Sequence, residues 1–275
     1  MTLRGYNVKV GYYEETSFGT KPDGTDTAPI TYSPPGAVSS FAFTVEPELV
    51  EIYALGSRDL AQLLRGRKTV KATLKFYPVD LVFVRYGIDN ISKSFTIWGK
   101  LLDINDHILL LGGKIDGLTI DVAEGEVVTI SADIIAKTSD NTPPTYADVG
   151  DFSGTPLMFK DVSISKDGTS ITSKVKDFSL KIDNNLEPVF TVSSDELVKI
   201  LEKNREISGT IGMSFESMSE YSEVVNDTEF SLSITMGGNT INLSGCKWEK
   251  FDVEITPEDL IYLPMSFRAK SITVS

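Results

Sequence analysis

The single histidine, His107, closes the run Asp103-Ile-Asn-Asp-His107, where two carboxylates and an imidazole could hold a divalent cation if they converged. The same residue types are what a polar turn between two strands requires, because Asp and Asn bond their own backbone and tolerate turn geometry. A turn is the expectation here. There is no second histidine for a metal pair, and one cysteine, Cys246, excludes both an internal disulfide and a cysteine-pair zinc site. Leu111-Gly-Gly-Lys114 is glycine-rich but lacks the spacing and the Ser or Thr of a phosphate loop, so a β-turn is expected. No Gly-x-Ser-x-Gly elbow is present. The acids of Thr119-Ile-Asp-Val122 and Phe251-Asp-Val-Glu254 alternate with apolar residues, which places them on the solvent face of a sheet. The sequence therefore nominates no catalytic, cofactor-binding or metal residue, and an enzyme is not expected.

Composition narrows the classes further. The 275 residues allow one large or two ordinary domains, and 41% hydrophobic residues suffice for packed cores. A net charge of −13 argues against a general nucleic-acid binder, which needs basic residues to displace phosphate counterions. The apolar runs, such as Ile108–Leu111, are far too short to span a bilayer. Met1-Thr-Leu-Arg-Gly5 has no apolar stretch of the secretory kind, so assembly in a cytoplasm is expected.

What organises the chain is a repeat. Displaced by 137 residues, Phe41–Phe76 falls on Phe178–Met213 without a gap, with Phe41, Leu49, Ser57, Leu60, Leu64 and Thr73 identical. Displaced by 133, Leu109–Lys137 falls on Asn242–Lys270, bringing Gly112 onto Gly245 and Lys137 onto Lys270. In both copies the alternation of apolar residues slips by one, between Ile115 and Leu118 and between Trp248 and Phe251, as a bulged strand requires. Two tandem β domains are expected. Within each, Phe41–Val45, Val70–Phe76 and their echoes alternate as strands. Ser57 followed by Leu60, Leu63 and Leu64 reads as a capped short helix ending at Gly66, echoed by a capping box at Ser193–Glu196 with Leu197, Ile200 and Leu201. These leucines are the expected core. Asp80–Tyr86 and Met218–Val225 are ambiguous, helical at best.

Around this unit, residues 1–40 read as a strand over Tyr6–Tyr13 and then an extended arm, since Pro22-Asp-Gly24 and Ser33-Pro-Pro-Gly36 favour turns. The arm is expected to bind a neighbouring subunit. The first β domain covers 41–137, a linker 138–156, and the second domain 157–275. The second opens with a hairpin turning at Lys166-Asp-Gly168 that has no alignable counterpart in the first.

The chain resembles the tail tube, or major tail, proteins of long-tailed bacteriophages and related archaeal viruses. Val8-Lys-Val-Gly-Tyr-Tyr-Glu-Glu-Thr-Ser-Phe-Gly-Thr20, the stretch Val45-Glu-Pro…Leu55-Gly-Ser-Arg58, and the repeated sandwich pattern carry the resemblance. The Gly-Ser-Arg element stands in the first copy alone. The resemblance implies a mainly β fold: two tandem tail-tube-like β-sandwich domains, each with a short flanking helix, plus the extended N-terminal arm. It implies a structural virion protein whose rings stack head to tail into the tube that conducts genome DNA. With two modules per chain, rings would be trimers of pseudo-sixfold symmetry, with the arm and linker bridging layers. Partners would be further copies of the chain and tail terminator, tape measure and baseplate proteins, with DNA passing through the lumen without tight binding and no membrane. An acidic lumen would repel phosphates. The alternatives are a baseplate or receptor-binding β-sandwich and a type VI secretion-like tube protein.

Overall fold

The structure is a computed structural model that describes residues 5–251 and 262–275. The first half of the chain contains β1 (Val8–Glu14), β2 (Ile30–Tyr32), β3 (Ala37–Tyr53), β4 (Leu60–Tyr77), the single-turn helix α1 (Arg85–Ile88), β5 (Phe95–Leu101), β6 (Asp106–Ala123), β7 (Thr129–Ala136) and β8 (Thr138–Asp140). The second contains β9 (Ala147–Val149), β10 (Ser163–Lys166), β11 (Thr169–Ser170), β12 (Val175–Asp183), β13 (Glu187–Val189), β14 (Lys199–Leu201) and β15 (Glu206–Ser214). It continues with α2 (Ser219–Val225), β16 (Phe230–Met236), β17 (Asn239–Trp248), β18 (Tyr262–Ala269) and β19 (Ser271–Val274). The protein is mainly β, built from large antiparallel sheets.

The pairings of the first half recur in the second at the displacements read from the sequence. Phe41↔Leu74 between β3 and β4 is matched by Phe178↔Ile211 between β12 and β15, and Val70↔Ala136 by Ile207↔Ala269. Ile115↔Ile134 is matched by Trp248↔Phe267, and Leu110↔Ser139 by Leu243↔Ile272. β1 and β10, which the sequence does not align, prove equivalent: Val10 faces Gly99 on β5 as Ile164 faces Ile234 on β16. Even the irregularity between Phe95 and Ile97 returns between Phe230 and Leu232.

Each half is a two-layer sandwich that shares one long strand between its layers. β6 pairs with β5 through its first half and with β7 through its second. The change of sheet happens at Gly112, which has φ 68°, and the matching point on β17 is Gly245, φ 61°. Glycine alone adopts this backbone freely. The expected β-turn at 111–114 is thus a bend inside a strand. The expected phase slip after Ile115 is a bulge on β6 between Ile115 and Gly117, opposite β7. Its counterpart falls between Trp248, the end of β17, and Phe251, where the N–H of Glu249 donates to Ser266 O at 2.8 Å. The buried face of each inner sheet (Leu74, Ile120, Ile130, Phe178, Ile211, Met265) packs on aromatic and aliphatic residues of the outer layer, including Tyr12, Phe95, Phe230 and Ile234. The core is continuous across both halves.

Two expectations are corrected. The segments 57–64 and 193–201 are not helices: each is the end of a hairpin, β3–β4 or β13–β14, with Val50↔Leu64 matched by Glu187↔Leu201. Leu60, Leu63 and Leu64 are exposed rather than core. In place of a helix cap, Ser57 Oγ bonds the backbone of Asp59 at the hairpin tip. The short helices lie instead at α1 and α2, after β4 and β15. Within the chain the arm's β2 runs parallel to β9 of the 138–156 segment, and Tyr32 is fully buried. The strand at Val8–Glu14 and the turn at Asp167–Gly168 (φ 48° and 76°) are as expected.

The glycine at each bend faces a lysine of the adjoining strand end. A Cβ at Gly112 would lie 2.7 Å from Lys137 Cβ, whereas at Gly245 it would meet the outer methylenes of Lys270, an exposed and adaptable side chain. Urea unfolding should therefore separate the two sites. Gly112→Ala should cost about 2 kcal/mol or more and Gly245→Ala about 1 kcal/mol, from left-handed backbone strain with and without a backbone-proximal clash.

Candidate assembly surface

The residues with chemical potential disperse. His107 is the second residue of β6, and its Nδ1 accepts a hydrogen bond from Trp98 Nε1 at 3.2 Å, with the expected turn at 102–105 before the strand. Cys246 is fully buried, and burial pushes its thiol up to about 11, away from reactivity. Asp121 is exposed on β6, where it accepts from Ser179. Phe251 is half-buried, and Asp252 and Glu254 fall outside the described residues. Among the described residues no group of three or more His, Cys, Asp or Glu could hold a metal ion.

What stands out is an apolar surface on a free sheet edge. The central strands run β17-β18-β15-β12-β6-β7-β4-β3, so that β12 and β6 join the two halves into one sheet and β3 ends it. The junction is a full antiparallel ladder, Asp177↔Ala123 through Asp183↔Gly117. β3 and β4 continue beyond the body as a long hairpin. Along it Phe43, Val45, Leu49, Val50, Ile52, Tyr53, Leu60, Leu63 and Leu64 are all exposed, and Leu55 at the tip is completely so. An exposed, apolar edge of this length is a site for pairing with another chain. Its echo in the second half is spent internally: Leu186, Leu197 and Ile200, the counterparts of Leu49, Leu60 and Leu63, are buried with Phe18, Ile91 and Ile135 of the first half.

A protein-family model described as phage tail tube protein matches residues 5–269. The chain belongs to the phage tail tube protein family. No curated protein matches its sequence. Membership makes this tail tube protein a structural component that self-assembles into a tube with other tail proteins, in the virion tail. No helix among its described residues is long and apolar enough to cross a membrane, which says nothing of crossing by strands.

In the tail tube protein, two carboxylates tie distant segments together. The first is Glu15, in the motif that carries the family likeness. Its buried carboxylate accepts four hydrogen bonds of 2.7 Å, from the N–H groups of Gly19 and Gly112 and the hydroxyls of Ser94 and Thr96. One anion so ties the start of the arm, β5 and the bend of β6. It also places Phe18 against the second half's hairpin. The second device is Glu196, beside β14, which accepts from Thr138 Oγ1 at 2.5 Å and pairs with the buried Lys68 at 3.3 Å. Sequence reading missed both roles: Glu15, beside Glu14 in a Thr/Ser/Gly-rich stretch, looks like a solvated loop residue, and Glu196 reads as part of a helix cap.

Glu15→Gln replaces an acceptor by a group with its own N–H donors. Chemical denaturation should show a loss of about 2 kcal/mol from mismatched buried hydrogen bonds. The hydrogen bond from Thr138, and then Lys68, hold the Glu196 carboxyl below its ordinary value of 4.5. A depressed acid stabilises the fold fully above that value and loses its contribution as pH falls through the lower, folded one. Amide exchange in β13–β14 should thus accelerate as pH drops below about 4.5, after correction for intrinsic rates, and Glu196→Gln should flatten that dependence.

Proposed function

We propose that the chain is two copies of one tail-tube module and that three chains form a ring of six modules, stacked head to tail into a tube conducting genome DNA. The observation that carries this reading is the β12–β6 junction, in which the last inner strand of the first half pairs with the first inner strand of the second. A junction made by the terminal strands of equivalent four-strand units can be repeated between chains. Repetition of one such contact by a constant rotation yields a ring if it closes.

The inner sheet's free face supports a role as the lining of the bore. It carries Ser, Thr and small residues, with Lys71, Lys75, Lys181 and Arg268 interleaved with Asp121, Asp133, Asp183 and Glu206. This differs from the acidic lumen expected from net charge. Interleaved charges among hydroxyls offer no continuous basic track to hold phosphates, and neutrality at short range serves passage as repulsion would.

In this reading the β3–β4 hairpin reaches a neighbouring subunit, and the arm and the 138–156 segment, joined through β2 and β9, bridge layers. Tail terminator, tape measure and baseplate proteins would meet the ends of the tube. Leu60→Asp/Leu63→Asp should leave thermal stability nearly unchanged, because both side chains are exposed. It should abolish polymerisation in negative-stain micrographs. Symmetry analysis of wild-type tubes should return three chains per ring; six would refute the trimer.

A further inference from the structure

The outer layer of the first half carries a roof that has no equivalent among the described residues of the second. β2 and β9 supply it: Tyr32 and Val149 pack on Trp98, Leu109 and Leu111, and all five are buried. The pairings give each residue under the roof a counterpart. Trp98, opposite Leu109, corresponds to Ser233, beside Asn242; Lys100, opposite His107, corresponds to Thr235, opposite Thr240. In the second half these positions hold neutral groups that bond one another, Ser233 Oγ to Asn242 Oδ1 at 3.0 Å and Thr235 Oγ1 with Thr240 Oγ1 at 2.9 Å. In the first half they are apolar, edged by a lysine and by the chain's one histidine.

That histidine is wired to the seat of the roof. An indole N–H can only donate, so the imidazole nitrogen it meets, Nδ1, has to be unprotonated. Trp98 is 2% exposed and meets Tyr32 edge-on, with ring centres 5.2 Å apart. A second proton on the imidazole goes to Nδ1, sets two N–H groups against each other, and leaves a buried donor without its acceptor. It also puts a positive charge directly opposite Lys100, whose ammonium lies 5.9 Å from the Trp98 ring.

The other charged groups on this face are accounted for. Asp106, next to His107, accepts from its backbone N–H, and Asp103 in the preceding turn is held by Asn7. Lys9, opposite Lys100 on β1, pairs with Asp151, and Asp140, opposite Leu109 on β8, pairs with Lys21. Asp148 of β9 bridges to Lys100 at 2.7 Å. The hydrogen bond from Lys100, and then the N–H of Val149, hold the Asp148 carboxyl below its ordinary 3.8, so this bridge stays charged in mild acid. The imidazole is therefore the group under the roof whose charge changes there.

We propose that His107 is a proton-sensitive latch on the arm: the neutral imidazole seats the β2–β9 pair on the first half, and its protonation in mild acid loosens that pair while the sandwich beneath stays folded. The latch belongs to the single chain and does not depend on the ring reading.

Nuclear magnetic resonance of the unassembled full-length chain tests it, because one histidine gives one imidazole signal. Between about pH 7.5 and about pH 5.5 the indole N–H signal of Trp98 should move with the same midpoint as the imidazole. That of Trp248, bonded to Glu223, should not follow it. Over the same interval, hydrogen exchange corrected for intrinsic rates should accelerate at least about fivefold at Ile30, Ser33 and Gly150, whose amides hold the roof. The β12–β15 ladder should change less than about twofold. His107→Gln offers an oxygen to the indole and does not titrate, so it should keep the roof protected at both ends of the range. A Trp98 signal indifferent to the imidazole titration would overturn the latch, and so would acceleration that persists in His107→Gln. Should that variant not fold, the wild-type chain decides: equal acceleration in the roof and the β12–β15 ladder, or none in the roof, overturns it too.

Discussion

Every backbone N–H and C=O at the edge of a sheet needs a partner or water, and that requirement governs how this chain is put together. Four inner strands form each half, and each set of four has two edges. The chain satisfies one pair of edges itself by laying β12 on β6, which turns two sandwiches into a single continuous sheet with a continuous core. Everything else follows from that ladder: the halves are held in a fixed relation, the second half's hairpin is drawn over the first, and β3 is left as the terminal strand. The ladder also explains why identical sequence patterns meet different fates. Leu186, Leu197 and Ile200 lie inside because the first half is beside them, while Leu49, Leu60 and Leu63 have nothing within the same chain to cover them.

The polar groups serve the same geometry. The bulge on β6 frees the carbonyl of Ile115, and the buried amide of Asn184 donates to it and to Gly87 O, while Arg205 holds the amide oxygen. Asp116, in the bulge, accepts from the N–H of Leu186. An irregularity in one half is thus the anchor for the other. Glu15 plays the corresponding part for the arm. Both are buried networks in which each member finds its partners, the condition under which burying polar atoms specifies structure rather than weakening it.

Much of this was legible in the sequence. Alternation with period two located Phe41–Val45, Val70–Phe76 and their echoes. The shared phase slip marked the bulge before any coordinates did, because a slip has only one cheap explanation in a strand. The family likeness, too, was carried by residues that prove structural, above all Glu15. The leucines at 60, 63 and 64 were misread for a physical reason. Spacing of three and four residues signals a helix when the apolar face is buried within the chain. Here bulges at Pro47/Leu49 and Ile52/Tyr53 scramble the strand period, and the residues are apolar for a surface outside the chain. No single-chain pattern rule covers that case. The fate of the arm was hidden because its contacts, β2 with β9, join segments 115 or more residues apart that carry no periodic signal.

The bends at Gly112 and Gly245 have a mechanical meaning. Because β6 and β17 each belong to both layers of their sandwich, inner and outer walls are joined by peptide bonds as well as by packing. A load that tries to peel one wall from the other is carried in part along covalent backbone, through a glycine whose side is braced by a lysine stem. Side-chain packing can be pulled apart a contact at a time; a shared strand cannot. The wall is laminated, and its layers are stitched.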